Sequence, residues 1–224
     1  MGSTLVYNRS SITAPKSRQQ IRLTATVAAP AATDAANCEG PFGDFFQAWT
    51  QSANIWVAWA AHAALAFQFV NQIIAGGASE PHLCVTSRGW LLLVYTRDNG
   101  DGTTDVMSCW SYDDGQTFDT PGVIIEGGKH GFCAVGLFDT VAVAAYVAGA
   151  IVCTIQEPGD ATSGIPFHFQ DDNHTDLAVA DDQFSFQQGQ ENPAPWVLVC
   201  TISGESATSR WRSWDDGGTW QRAT

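Results

Sequence analysis

Positive charge is scarce in this sequence and gathered at one end. Arg9, Lys16, Arg18 and Arg22 stand in the first 22 residues with no acidic residue among them. The rest of the chain carries 6 basic and 23 acidic residues, a net of −17, against −13 for all 224 residues. Such a body offers phosphates no basic face, which excludes nucleic-acid binding as its function. Charge of either sign is low at 15%, whereas 45% of residues are hydrophobic, with 21 Gly, 9 Trp and 12 Phe. That balance argues against long disorder and against a Lys/Glu-rich helical protein. It leaves a turn-rich, aromatic globular chain, long enough for one β-rich domain or two small ones.

Motifs of several chemistries are missing as well. Cys38, Cys84, Cys109, Cys133, Cys153 and Cys200 form no CxxC pair and no zinc-ligand spacing. Five of them sit in apolar runs such as HLCVT and IVCTI, where a buried thiol acts as a small hydrophobe, with one or two disulfides as the alternative. No G-x-S-x-G, P-loop or dinucleotide fingerprint occurs, so neither a cofactor nor a metal is expected. The chain opens without the cationic and apolar regions of a secretory signal, and position 6 is Val6 where myristoylation would ask for Ser or Thr. The run IWVAWAAHAALAFQFVNQII, residues 55–74, has the length of a membrane span or a buried helix. His62, Gln68, Asn71 and Gln72 argue against lipid on its outside, and no membrane partner is expected.

What the chain does have is repetition. SYDDGQTF at 111–118 returns as SWDDGGTW at 213–220, an offset of twice 51. A step of 51 from the closing aromatic gives Phe67, Phe118, Phe169 and Trp220. The same step lays Trp59 on Trp110, Tyr95 on Tyr146, and IIAGG at 73–77 on IIEGG at 124–128. The apolar run at 55–74 is thereby the counterpart of a strand, a turn and a second strand, which argues against a helix. Each unit reads as an apolar strand (LLLVYT), a short strand (DVMSCW), the octet turn and an outer strand (GVIIE). Repeats of 40 to 50 residues with several short strands mark a propeller blade. The fold expected is all-β and propeller-like, with four blades of about 51 residues over 21–224 and a basic extended arm over 1–20. Because the fourth unit stops four residues after its octet, without its last strand, IRLTA at 21–25 is expected to complete that blade and close the ring.

The octets resemble the Asp-box, or BNR repeat, of sialidase-like β-propellers. The matching positions are Ser111, Asp113, Gly115, Thr117 and Phe118, and Ser213, Asp215, Gly217, Thr219 and Trp220. The side-chain oxygens suit backbone N–H groups at a reversal, Gly suits a positive φ, and the aromatic suits anchoring. The resemblance implies a structural turn on a rim, away from any catalytic centre. A sialidase-like active site would need three arginines, a Tyr/Glu pair and an acid/base Asp. Only Arg88 and Arg97 lie near inner strands, and six blades do not fit, so no residue is carried over as catalytic and the chain is expected not to be an enzyme. RDNGDGTTD at 97–105 has oxygens for calcium, but a hairpin loop is needed there. His168, Asp171, Asp172, His174 and Asp176 read as a solvated acidic loop. Trp90, Trp196, Trp211 and Trp214 serve either core packing or stacking on a sugar or protein. The function expected is a structural or interaction module of a bacteriophage virion, in capsid, tail or fibre, docked through its arm to other subunits or to copies of itself as a homo-oligomer. The alternative is a glycan-binding or sialidase-like propeller acting on host-surface carbohydrate.

Overall fold

The computed structural model describes residues 3–8, 22–27, 33–61, 67–136, 139–156, 167–168, 178–180, 182–190, 193, 195–215 and 217–223. Among them there is no α-helix, and every extended sheet is antiparallel. Four successive four-stranded meanders follow one another along the chain. Blade I comprises β3 (Thr33–Glu39), β4 (Phe45–Gln51), β5 (Asn54–Ala60) and β6 (Phe69–Ile74). Blade II comprises β7 (Ala78–Val85), β8 (Leu91–Asp98), β9 (Thr104–Ser111) and β10 (Gly122–Ile125). Blade III comprises β11 (Lys129–Val135), β12 (Val141–Val147), β13 (Ala150–Gln156) and β14 (Phe167–His168). Blade IV comprises β15 (Ser185–Gln188), β16 (Trp196–Cys200), β17 (Ser209–Ser213) and β18 (Gln221–Ala223).

The apolar strands of blades II and III are hydrophobic on both faces because each of these blades is covered on both. Along β8, Leu91, Leu93 and Tyr95 enter the core shared with blade I, whereas Leu92 and Val94 enter the core shared with blade III. Along β12, Val141, Val143 and Ala145 face blade II, while Ala142 and Ala144 face blade IV. The period of two therefore divides β8 and β12 each between two interfaces. All six cysteines are free thiols, and Cys84, Cys109, Cys133, Cys153 and Cys200 are buried. Burial pushes the thiol of Cys153 up to about 12, and it drives those of Cys109 and Cys133 upward as well.

The 51-residue step is visible in the backbone. Gln68 N donates to Trp59 O at 2.8 Å, Asp119 N donates to Trp110 O at 2.9 Å, and Gln221 pairs with Arg212 in the same place in blade IV. Residues 55–74 form β5 and β6 rather than a helix, with 62–66 outside the described residues. Among the described residues, no helix is long and apolar enough to cross a membrane.

The expected closing strand is corrected. β2 (Arg22–Val27) pairs with β1 (Ser3–Asn8) in a separate two-stranded ribbon, and blade IV ends on its own β18. Residues 221–223, which follow the last octet, are long enough to pair with 210–212, so no strand needs to be borrowed. Residues 9–21 lie outside the described residues, as do Phe169 and the 171–176 cluster.

Two substitutions test the shared cores. Leu93→Ala is expected to cost about 2–5 kcal/mol in urea unfolding, because its buried side chain leaves a cavity between two blades. Gly131 sits where a Cβ would lie 2.6 Å from Val106 Cγ1 and 2.8 Å from Val94 Cγ1. Gly131→Ala is expected to destabilise by about 1–3 kcal/mol through overpacking, measured in the same way.

Candidate functional site

The two octets adopt one constellation. Ser111 Oγ donates to Asp113 Oδ1 at 2.9 Å and accepts from Gly115 N at 2.9 Å. Thr117 donates to Asp113 through both N (2.9 Å) and Oγ1 (2.6 Å). Ser213, Asp215, Gly217 and Thr219 repeat all four bonds at 2.8 to 2.9 Å. Gly115 and Gly217 take φ of 78° and 86°, where a side chain is strained. A Cβ on Gly115 would also meet Leu91 Cδ2 at 3.2 Å and Val57 Cγ1 at 3.5 Å, so this octet leans on blade I. Phe118 packs on the core between blades I and II, and Trp220, 1% exposed, packs in the core between blades III and IV. The Ser, the first Asp and the Thr of each octet thus spend their side-chain oxygens within their own turn.

Other groups singled out from the sequence are placed as follows. Arg97 pairs with Asp105 at 3.0 Å and bonds Asn99, within the hairpin at 98–104. Asp98 and Asp101 accept from the backbone N–H groups of Gly100 and Thr103, so this loop spends its oxygens on itself. Trp196 and Trp211 are core residues, whereas Trp214 is 40% exposed. Arg88 lies elsewhere, over the ring of Trp90 at 5.0 Å.

A different set of residues converges at the axis. The first strand of each of blades I to III begins with a register irregularity, between Thr33 and Ala36, Ser79 and His82, and Lys129 and Phe132. At each irregularity a non-glycine residue takes a left-handed backbone: Asp34 at φ 50°, Glu80 at 53° and His130 at 54°. Such a conformation costs about 1–3 kcal/mol per residue and gathers at functional sites, and a bulge re-aims the side chain it carries. Asp34, Glu80 and His130 line one cavity of about 430 Å³ together with Asn37, His82 and Phe132.

This mouth is held by a polar chain. Glu80 Oε1 lies 2.8 Å from His130 Nδ1, while its Oε2 accepts from Thr96 Oγ1 at 2.9 Å and from His130 N at 3.2 Å. His130 Nε2 lies 3.4 Å from Asp182 Oδ2, to which Lys129 Nζ also donates. The bond from Lys129 holds the Asp182 carboxyl below the usual range, and the same bond raises Lys129. His82, by contrast, is pulled down to about 4 by burial, and its Nδ1 accepts from Cys133 N at 3.3 Å. The mouth thus joins a neutral imidazole, a second imidazole set between two carboxylates, and the further carboxylate of Asp34. No group of three His, Cys, Asp or Glu side chains among the described residues is arranged to hold a metal ion.

None of Asp34, Glu80, His130 and Asp182 stands out in the sequence. The first strands recur at offsets of 46 and 50 residues rather than 51, so Asp34, Glu80 and His130 fall out of the step that reveals the octets. The available signal was an ionisable residue at the opening of each inner strand, as in ASEPH and GGKHG.

No protein-family model matches the sequence, and no curated protein is similar to it in sequence. Solved structures do share its fold. A Hadza microbial sialidase superposes with a TM-score of 0.62 at 13% identity, over 88% of this chain and 47% of that one. A family 117 glycoside hydrolase produced by Zobellia galactanivorans gives 0.56 at 13% identity, over 86% and 69%. A GH43 enzyme from Xanthomonas citri complexed with xylose gives 0.55 at 10% identity, over 86% and 72%. The chain therefore has a sialidase-like propeller fold of open four-stranded sheets, and it spans about half the length of the sialidase. The expectation that it is not an enzyme is corrected here, because the fold it shares is carried by enzymes, among them the sialidase, the family 117 glycoside hydrolase and the GH43 enzyme. That expectation counted arginines, and the ionisable groups of this mouth are carboxylates and imidazoles.

The octet acids generate a pH prediction. Partial burial works to raise Asp113 and Asp215, but bonds from Thr117 and Ser111, and from Thr219 and Ser213, outweigh it and hold both carboxyls below the usual range. A lowered folded pKa stabilises at neutral pH, and that stabilisation disappears as pH falls through the lowered value. Asp113→Ala and Asp215→Ala are expected to lose about 1–3 kcal/mol each at pH 7. In urea melts at descending pH, their deficit against the parent should shrink once the pH passes below about 4.

Proposed function

We propose that the chain acts on carbohydrate, binding a saccharide in the axial mouth and cleaving a glycosidic bond there. The observation that carries this reading is the recurrence of Asp34, Glu80 and His130 at one strained position in three successive blades, all lining the same cavity. Glycosidases work with carboxyl groups flanking the scissile bond. One gives a proton to the leaving oxygen, and the other acts at the anomeric carbon or on a water beside it. Glu80 suits the first role, since His130 Nδ1 at 2.8 Å can return a proton to it and Thr96 fixes its other oxygen. Asp34, on the neighbouring blade, is the second carboxyl of the cavity. Asp182 and Lys129 position His130 from behind. The fold shared with glycoside hydrolases supports the substrate class.

Within this reading the octets are Asp-boxes that brace a blade against the one before it. The basic stretch 1–20 is read as a docking arm that fixes the propeller to a virion or to a second copy of the chain; its support is the charge asymmetry of the sequence.

Methylumbelliferyl xylosides, arabinosides and sialosides provide the assay. Turnover is expected, and Glu80→Gln should lower it at least about 100-fold with the fold retained by circular dichroism. Glycan-array binding without any turnover would assign a lectin, and a protein that neither binds nor turns over any sugar would overturn the proposal.

A further inference from the structure

The opposite end of the axis carries a second cavity. The last residues of the four inner strands, Glu39, Val85, Val135 and Gln188, line it together, and its volume is about 680 Å³. This is the end at which the chain turns from each first strand to the second, so the cavity is separated from the acidic mouth by the length of the inner strands. Arg88 lines it, and among the described residues that guanidinium has no ion-pair partner.

Aromatic rings continue the cavity outward. Arg88 Cζ lies 5.0 Å over the ring of Trp90, which meets Tyr112 edge-on at 5.5 Å between centroids and 80° between planes. Phe42 reaches the same turn, since a Cβ on Gly89 would lie 3.7 Å from its ring. Phe42 is 70% exposed and Tyr112 is 49% exposed, two of the four large hydrophobic side chains exposed among the described residues. Exposed rings beside a polar cavity mark a binding surface rather than a core. Tyr112 is also the variable second position of the first octet, so the turn that braces blade II presents this ring to solvent without disturbing its own hydrogen bonds.

We infer that this face is a second saccharide-binding site, distinct from the axial mouth, that takes a neutral oligosaccharide. The apolar faces of pyranose rings would lie on Trp90, Tyr112 and Phe42. Their hydroxyls would meet the donors of Arg88 and the acceptors of Glu39 and Gln188. Phosphate-bearing polymers are disfavoured by the body's net charge of −17, and an acidic sugar meets Glu39 beside Arg88. Asp139, also in the lining, is engaged in accepting from Ser87 N at 2.7 Å and Ser87 Oγ at 2.6 Å, which ties the rim of blade II to that of blade III. The inference shares its ligand class with the proposed function but stands on different residues.

Titration calorimetry of the full chain with xylohexaose, cellohexaose and sialyllactose tests it, on the parent and on Tyr112→Ala, Trp90→Ala and Glu80→Gln. The expected result is binding of a neutral hexaose that weakens at least about tenfold in Tyr112→Ala and in Trp90→Ala but persists in Glu80→Gln. Tyr112 is a surface ring, so its variant stays interpretable if Trp90→Ala fails to fold. Binding lost in Glu80→Gln and kept in Tyr112→Ala would overturn this inference while leaving the axial mouth in place. No binding of any of the three probes, or tighter binding of sialyllactose than of both hexaoses, would overturn it as well. Hexaose binding governed by Tyr112 in a protein with no glycosidase turnover would support this site and count against the catalytic reading.

Discussion

No blade of this protein owns a core. Leu91, Leu93 and Tyr95 belong to one interface and Leu92 and Val94 to the next, so β8, like β12 in blade III, depends on both of its neighbours. Burial of alternate side chains on opposite faces is the dominant favourable term available to such thin sheets. Everything at the two ends of the axis follows from it. The inner strands are held side by side by these interfaces, which bring the first residues of three of them to one cavity and the last residues of all four to another. Interfaces this tight also set local geometry: at Gly131 the approach of Val94 and Val106 leaves no room for a Cβ, one residue from the left-handed His130.

The parts legible in the sequence were those that keep the 51-residue step. The run LLLVYT, hydrophobic at every position but its last, could only be a strand covered on both sides, and it is β8. The pairing of Trp59 with Trp110 put two strands where the composition of 55–74 would suit a helix, and β5 and β6 occupy that run. The octets were legible because Ser, Asp, Gly and Thr at fixed offsets have a turn's hydrogen-bonding pattern written into their side chains.

The parts that escaped lie where the step breaks. Asp34, Glu80 and His130 occupy one register position in three blades, but they recur at offsets of 46 and 50 residues, so a step of 51 does not lay them on one another. Their convergence depends on the tertiary arrangement of three first strands, information that no local spacing holds. The N-terminal strand differs from its expected place because sequence pattern does not fix pairing. IRLTA matches the outer-strand pattern of QIIAG, but pattern alone does not choose a partner, and β2 pairs with β1 while Gln221–Ala223 completes blade IV.

The buried thiols acquire a meaning from the shared interfaces. Cys109 lies between blades I and II, Cys133 between II and III, and Cys153 between III and IV, each with its thiolate suppressed by burial. A thiol in that state is inert to alkylating reagents until its own interface parts and water enters. Each seam therefore carries at least one chemical clock, and the order in which Cys109, Cys133 and Cys153 are labelled would say which seam parts first.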